Sequence, residues 1–202
     1  IADEMLLPGG GQVKALICVG GNPLLAWPDQ AKPHAALSGL ELLVCIDIKL
    51  AATAQLAHYV LSPKICLERE DVTLLTDIWH DQAYSQYTPT VVEAEGDKIE
   101  EWEFFWGMGR RMGLAMSLGN GPIAMDRKPT KFELLENITA GSRVPLAQMR
   151  ANAGGTVYPD LDVIIEAADP ATQGYLELFP AGLGEELAAA FRDTQAPGTA
   201  AY

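Results

Sequence analysis

Long apolar runs are missing from this sequence. None approaches the roughly 18 consecutive residues that a membrane-spanning helix requires, so membrane insertion is not expected. Basic residues are few: 14 Lys and Arg stand against 27 Asp and Glu, a formal net charge of −13 at pH 7. An acidic surface repels phosphate backbones, which argues against a nucleic-acid partner. Cysteine and histidine are scarce, with three of each. No CxxC pair and no HxH or HxxxH spacing occurs, so His34, His58, His80 and the cysteines suggest no zinc site or iron–sulfur cluster of the chain's own. An odd cysteine count argues against a disulfide framework. Cys18 and Cys45 lie inside apolar runs and read as buried core thiols. Ser62 lacks a nucleophile-elbow setting, which removes a serine-hydrolase reading.

A signal-like segment is also absent. The chain starts at Ile1 without a methionine, and IADEMLLPGGGQ reads as a cut end, so a piece of a longer polypeptide is expected. Targeting signals would then lie outside it. The cytoplasm is the expected compartment, with the periplasm as the alternative.

What is present is a real core. The 202 residues are 49% hydrophobic, enough for one or two folded domains. Val13 to Val19 and Leu42 to Ile46 read as strands buried on both faces, as parallel strands tend to be. Between them, Gly20 to Trp27 reads as a loop, and a helix is predicted from Pro28 or Asp29 to Ser38-Gly39. Ala51 to Ala57 is short and alanine-rich, hence helical, and Tyr59 to Leu61 suggests a third strand. Thr90 to Val92 is a further candidate strand. Glu100 to Leu114 is predicted as a helix, acidic at its start and with Arg110 and Arg111 near its end, as the helix dipole favours. Its Trp102, Phe105, Trp106 and Gly109 fall at helical spacing and read as core.

After Leu118 the texture changes at Gly119-Asn120-Gly121-Pro122. Thr130 is placed to cap a helix over Lys131–Ile138, and Pro145 to begin another that reaches Arg150. Asn152 to Pro159 is turn-rich. Val163 to Ala167 and Tyr175 to Phe179 are candidate strands, and Glu185 to Phe191 a helix. Glu68, Glu70 and Asp71 read as a solvated run. The expected fold is α/β: a Rossmann-like lobe with a parallel sheet over residues 1–118, then an irregular, mostly helical connector over 119–202.

The chemistry concentrates where the first two strands end. Gly20-Gly21 frees the backbone to take positive φ and to approach a ligand. N–H groups at such a turn, or at the helix start near Pro28-Asp29, can bind phosphate oxygens. Asn22 offers both a donor and an acceptor. Asp47 closes the second strand, where dinucleotide folds place an acidic residue on a hydroxyl or N–H group of the nucleotide. The G-x-G-x-x-G fingerprint itself is absent. On the residues alone, nucleotide binding and a plain tight turn stay open as alternatives. Thr53 either caps the short helix or touches the nucleotide. His58 either donates to a phosphate or packs beside Tyr59.

Taken together, Gly20-Gly21-Asn22-Pro23, Pro28, Asp47, Thr53-Ala54, Ala57 to Leu61, Glu68, Gln86-Tyr87 with Pro89, and the Glu101-Trp102 helix ending at Gly113 occur in register. This pattern resembles the molybdopterin oxidoreductase family, which includes formate dehydrogenases, dimethyl sulfoxide reductases and nitrate reductases. The resemblance covers residues 11–114; residues 131–158 resemble the connector before the last domain in some bacterial members. Departures cluster between residues 49 and 62: Lys49 stands where an aromatic is common, Ala51 for Thr, His58 for Asp and Ser62 for Pro.

The resemblance implies a parent enzyme whose molybdenum or tungsten is held by two pterin dithiolenes, each with a guanosine dinucleotide tail. That group is bis-molybdopterin guanine dinucleotide. It implies that Gly20, Gly21, Asn22, Pro23, Asp47, Thr53 and His58 line one tail. The iron–sulfur cluster and the metal's protein ligand would lie in the parent outside this segment, and a β-barrel domain would follow after about Phe191. The expected partners are the remaining domains of the parent chain and an electron-transfer subunit. The excised piece is expected to be inactive, to hold no metal and to self-associate. A competing reading is a scaffold lobe of the large iron–sulfur subunit of respiratory NADH dehydrogenase, against which the retained Asn22, Pro23 and Asp47 count. A nicotinamide-dependent dehydrogenase is the third reading, weakened by the missing glycine and by the lack of a catalytic Tyr/Lys or His/Asp set.

Overall fold

The computed structural model describes residues 1–73, 80, 82–119, 121–161 and 177–194. The chain divides into two compact units, Ile1–Val163 and Ile164–Tyr202. The first opens with a short helix α1 (Ala2–Leu6), followed by β1 (Ala15–Val19). A one-turn helix α2 (Pro23–Ala26) and the longer α3 (Ala31–Ser38) then lead to β2 (Leu42–Ile46). Next come α4 (Ala52–Leu56) and β3 (Tyr59–Leu61). The three strands form a parallel sheet in the order β1-β2-β3. Ala15 pairs with Leu42 and Val19 with Ile46; Val44 pairs with Tyr59 and Ile46 with Leu61.

The central strand is apolar throughout because both its faces are covered. Leu43 and Ile46 are fully buried and Cys45 nearly so. Around them Met5, Cys18, Ala36, Leu37, Leu40 and Ala54 make one continuous core, with Leu16, Leu24 and Trp27 against its margin. The helix α1 closes this core by packing on α3. The mixed α/β architecture read from the sequence is thus the one observed, and its strand limits agree within two residues. Two details differ. The predicted loop Gly20–Trp27 contains α2, because Pro23 occupies the first helical position and the Asn22 carbonyl accepts from Leu25 and Ala26 N–H, at 3.0 and 2.9 Å. And α3 begins only at Ala31, because Asp29 sits at a φ of 55°, outside the helical region.

Short strands follow: β4 (Asp71–Val72), β5 (Tyr84–Ser85) and β6 (Tyr87–Thr88), with β4 antiparallel to β6. The predicted strand at Thr90–Val92 is not formed. Instead the N–H groups of Val91 and Val92 both turn onto the Leu67 carbonyl, at 2.9 and 3.1 Å. The helix α5 (Glu101–Arg111) buries Trp106, whose indole N–H donates to the Ala124 carbonyl at 2.8 Å.

The hairpin β7 (Ser117–Leu118) and β8 (Gly121–Pro122) then packs on α6 (Lys131–Thr139). Gly119 makes that approach possible: its φ is 58°, and a Cβ there would meet the backbone of Ile138 at 2.8 Å. Thr130 caps α6 as the sequence predicted, through Glu133 N–H to Thr130 Oγ1 at 3.2 Å and Thr130 N–H to Glu133 Oε2 at 2.8 Å. The helix α7 (Leu146–Ala151) packs beside α6. Val72, Tyr87, Leu135, Val144, Leu146 and Met149 form a second core there. Within Asn152–Pro159 lies β9 (Thr156–Val157), which pairs with β5.

The run Glu68, Glu70 and Asp71 is paired rather than simply solvated, and only Glu68 is buried. Glu68 is buried, takes Ile65 N–H at 3.0 Å and pairs with Lys98; Glu70 accepts from the Tyr87 hydroxyl; Asp71 lies in β4 beside Arg69 and Lys131. Chain reversals that return cations onto these carboxylates are invisible in a linear charge pattern. In the second unit, α8 (Leu183–Thr194) extends the predicted helix at both ends. The candidate strand Val163–Ala167 lies outside the described residues, as does the start of Tyr175–Phe179.

Candidate nucleotide site at the carboxyl ends of the strands

Because Val19 and Ile46 are register partners, the segments leaving β1 and β2 emerge side by side. The ladder continues one step beyond each strand. Gly20 N–H donates to the Ile46 carbonyl at 2.9 Å, and Asp47 N–H to the Leu61 carbonyl at 3.2 Å. Gly20 then takes a φ of 57°, with nothing within 4 Å of where a Cβ would stand. Glycine is therefore required here by the backbone turn rather than by crowding. At Gly21 a Cβ would find only ordinary contact, with Cys18 Sγ at 3.4 Å. The Gly21 carbonyl is held by the Cys18 thiol, which donates to it across 3.2 Å.

Asn22 and Thr53 tie this turn to α4. The Asn22 side-chain oxygen accepts from Thr53 N–H at 3.2 Å and from the Thr53 hydroxyl at 2.8 Å. The Thr53 oxygen in turn accepts from Leu24 N–H at 3.0 Å. Thr53 is fully buried. The Thr53 hydroxyl therefore does not cap its own helix α4, the first alternative read from the sequence; it is spent on the turn after β1 and on the start of α2. Among the described residues, the backbone N–H groups of Gly21 and Asn22 and the Asn22 side-chain NH2 have no protein partner.

Asp47 stands next to this turn, half-buried, at the end of the adjacent strand. One carboxylate oxygen accepts from Lys49 N–H at 3.1 Å, which fixes the side chain above its own turn. The second oxygen has no protein partner among the described residues. The edge therefore presents donors from the turn after β1 and an acceptor from the turn after β2.

Of the seven residues singled out from the sequence, Gly20, Gly21, Asn22, Pro23, Asp47 and Thr53 come together at this edge. His58 does not. It precedes β3, so it lies at the opposite, amino-terminal end of the sheet, where its Nδ1 accepts from Leu43 N–H at 2.9 Å. What the sequence reading missed is the apolar rim. Val19, Leu25, Ile48 and Leu50 are exposed around the strand ends, while Trp106 is buried, as its place in the helical pattern of α5 predicts. Apolar residues placed immediately beyond strand ends are the signal that could have located it. Below the turn, Cys18 and Cys45 are register partners on neighbouring strands. Burial raises both thiols above their ordinary range, Cys45 to about 11, so they stay protonated and serve as core.

The sequence profile of the molybdopterin oxidoreductase domain matches residues 3–108, just over half of the chain. The chain is 31% identical to the F420-dependent formate dehydrogenase 1 subunit alpha of Methanococcus maripaludis, over 54% of this chain and 16% of that protein. It is 32% identical to acetylene hydratase of Syntrophotalea acetylenica, over 50% of this chain and 14% of that protein. A solved structure of acetylene hydratase from Pelobacter acetylenicus superposes with a TM-score of 0.50 at 31% identity, covering 56% of this chain and 15% of that one. The chain thus spans about a sixth of the length of the relatives it matches. With the profile matching more than half of the chain, from before the parallel sheet through its glycine turn to α5, the chain belongs to the molybdopterin oxidoreductase family.

Proposed function

We propose that this chain binds one guanosine dinucleotide tail of a bis-molybdopterin guanine dinucleotide cofactor, with molybdenum or tungsten as its metal, inside a larger oxidoreductase. The observation that carries this reading is the pairing of free donors in the turn Gly20 to Pro23, from Gly21 and Asn22, with the open Asp47 carboxylate oxygen at the carboxyl edge of a parallel sheet. Ligands of open α/β sheets sit at that edge.

The residues present fit the nucleotide part of the group. Gly20 leaves its outer side clear, and the free N–H groups of Gly21 and Asn22 suit phosphate or ribose oxygens. Asp47 suits the N1–H and N2–H donors of guanine or a ribose hydroxyl. Among the described residues no group of three or more His, Cys, Asp or Glu could hold a metal. In this reading the described residues act on the tail: they bind it and orient it. When bound, the group supplies two-electron redox chemistry at its metal. In this reading residues 1–118 are the tail-binding lobe and 119–202 a connector toward a further domain. The iron–sulfur cluster and an electron-transfer partner belong to the rest of the parent. Its remaining domains cover the rim of Val19, Leu25, Ile48 and Leu50; in the isolated chain a second copy takes their place. No helix among the described residues is long and apolar enough to cross a membrane.

The test is calorimetric titration of the chain with guanosine diphosphate. Saturable one-to-one binding is expected. Asp47→Asn keeps the size of the side chain and replaces one acceptor with a donor. It should weaken binding by about 1.5–3 kcal/mol, the range for hydrogen bonds to a charged group, or roughly one to two decades, with an unchanged circular dichroism spectrum. Absence of binding, or equal binding by Asp47→Asn, overturns the reading.

A further inference from the structure

The Asn22 carboxamide can face the ligand with either end, and the chemistry of the site depends on which. Two backbone groups decide it. Thr53 N–H can only donate, so the Asn22 atom 3.2 Å from it is the oxygen. Leu24 N–H can also only donate, so the Thr53 oxygen 3.0 Å from it acts as acceptor. The hydroxyl's single hydrogen is then left for the same Asn22 oxygen, 2.8 Å away. The polarity of the whole cluster follows from these two N–H groups without reference to how the amide was oriented. The Asn22 oxygen is held twice, and its NH2 group is left on the side away from Thr53 with no protein partner among the described residues. Thr53 itself is fully buried and out of reach of any ligand.

We infer that Thr53 is a positioning residue that locks the Asn22 carboxamide oxygen-inward, so that Asn22 offers its ligand a hydrogen-bond donor, suited to acceptor-bearing groups such as phosphate or ribose oxygens. This inference rests on the nucleotide-binding reading of the same edge. It changes the role of Thr53 from a contact residue to one that acts through Asn22. It also separates two halves of the site by polarity, with donors on the β1 side and the Asp47 acceptor on the β2 side.

A double-mutant cycle with guanosine diphosphate as the probe tests it. Thr53→Val keeps the shape and removes the hydroxyl. It should weaken binding about three- to tenfold, the size of one hydrogen bond, and Thr53→Ser should restore affinity to within about twofold of the starting protein. In an Asn22→Ala background Thr53→Val should change affinity by less than about 1.5-fold, because the residue through which it acts is gone. An equal loss in both backgrounds overturns the proposal. A ligand-independent readout accompanies the cycle: nuclear Overhauser effects from the Asn22 side-chain NH2 protons report which end of the carboxamide faces residue 53. One orientation, oxygen inward, is expected in the starting protein and in Thr53→Ser, and averaging in Thr53→Val. A single unchanged orientation in Thr53→Val refutes the lock whether or not the nucleotide binds. A lock that is present in a chain that binds no guanosine diphosphate places the failure in the nucleotide reading and removes the ligand-facing role of Asn22 with it.

Discussion

The imidazole of His58 accepts a hydrogen bond from Leu43 N–H across 2.9 Å, while His58 N–H donates to the Leu43 carbonyl at 2.8 Å. Leu43 is fully buried in the central strand, so its N–H has no water to turn to. At this position, where the pattern read from the sequence commonly has Asp, His58 supplies an acceptor for a buried backbone N–H at the amino-terminal end of the sheet. His58→Asp should therefore be close to neutral for stability. His58→Leu leaves the buried N–H unpaired and should cost about 1–3 kcal/mol, read from urea unfolding. Neither change should alter guanosine diphosphate affinity. Loss of binding in a folded His58→Asp protein would return His58 to the site.

The three thiols differ sharply in setting. Cys66 is exposed, whereas Cys18 and Cys45 are buried and held protonated by burial. Thiolate is the reactive form. A maleimide at pH 7.5 should label one thiol per folded chain, and mass mapping should place it on Cys66. Labelling at all three sites should appear only in denaturant. Native labelling of Cys45 at the rate of Cys66 would show that the central strand is not packed as described.

The start of α6 carries a pH dependence of defined sign. Arg127 grips the Glu133 carboxylate, and the Thr130 N–H adds to it; together they lower Glu133 from its ordinary value of 4.5 to about 2. A carboxyl lowered in the folded state contributes stability that is complete above its unfolded value and is lost as pH falls toward the folded one. Stability should therefore decline between about pH 4.5 and pH 2 through this group. Glu133→Gln should flatten that part of the profile and leave the rest unchanged. Parallel profiles for the two proteins in that window would remove Glu133 as the cause.

Much of the site was legible in the sequence because its residues lie at the ends of strongly patterned segments. The apolar runs Val13 to Val19 and Leu42 to Ile46 mark β1 and β2, and a parallel sheet brings their carboxyl ends together, which places Gly20 beside Asp47. Glycine followed by Asn-Pro likewise announced the turn. Polarity was not legible. Whether Thr53 faces the ligand or Asn22 depends on a contact across 31 positions of the chain, and no local pattern encodes it. The place of His58 immediately before β3 puts it at the amino-terminal end of that strand, away from the turn after β1. The buried carboxylates Glu68 and Glu100 were hidden for the same reason as Thr53. Their cations, Lys98, Lys64 and Lys131, arrive from other segments.

Glu100 shows what those remote cations do. It is the N-cap residue of α5, nearly buried, and three groups converge on its carboxylate. Trp102 Nε1–H donates to it at 3.0 Å, Lys131 Nζ from the first turn of α6 lies at 3.0 Å, and Lys64 Nζ at 3.8 Å. The carboxylate therefore joins the segment after β3, the start of α5 and the start of α6 at one point. A buried charge is costly when it loses a partner, because the remaining charge stays desolvated. Lys131→Met keeps the aliphatic stem and removes the ammonium. Lys64 still faces Glu100 but at longer range, so the loss should fall near the lower end of the range for a broken buried pair, about 3 kcal/mol. The exposed pair of Lys14 and Glu41, 2.7 Å apart, supplies the control. Lys14→Met should cost less than about 1 kcal/mol. Urea unfolding of the three proteins reads both. The double change Lys131→Met with Glu100→Gln should recover part of the loss, since the uncompensated charge is then gone. If Lys131→Met costs no more than Lys14→Met, Glu100 does not bind these three segments together.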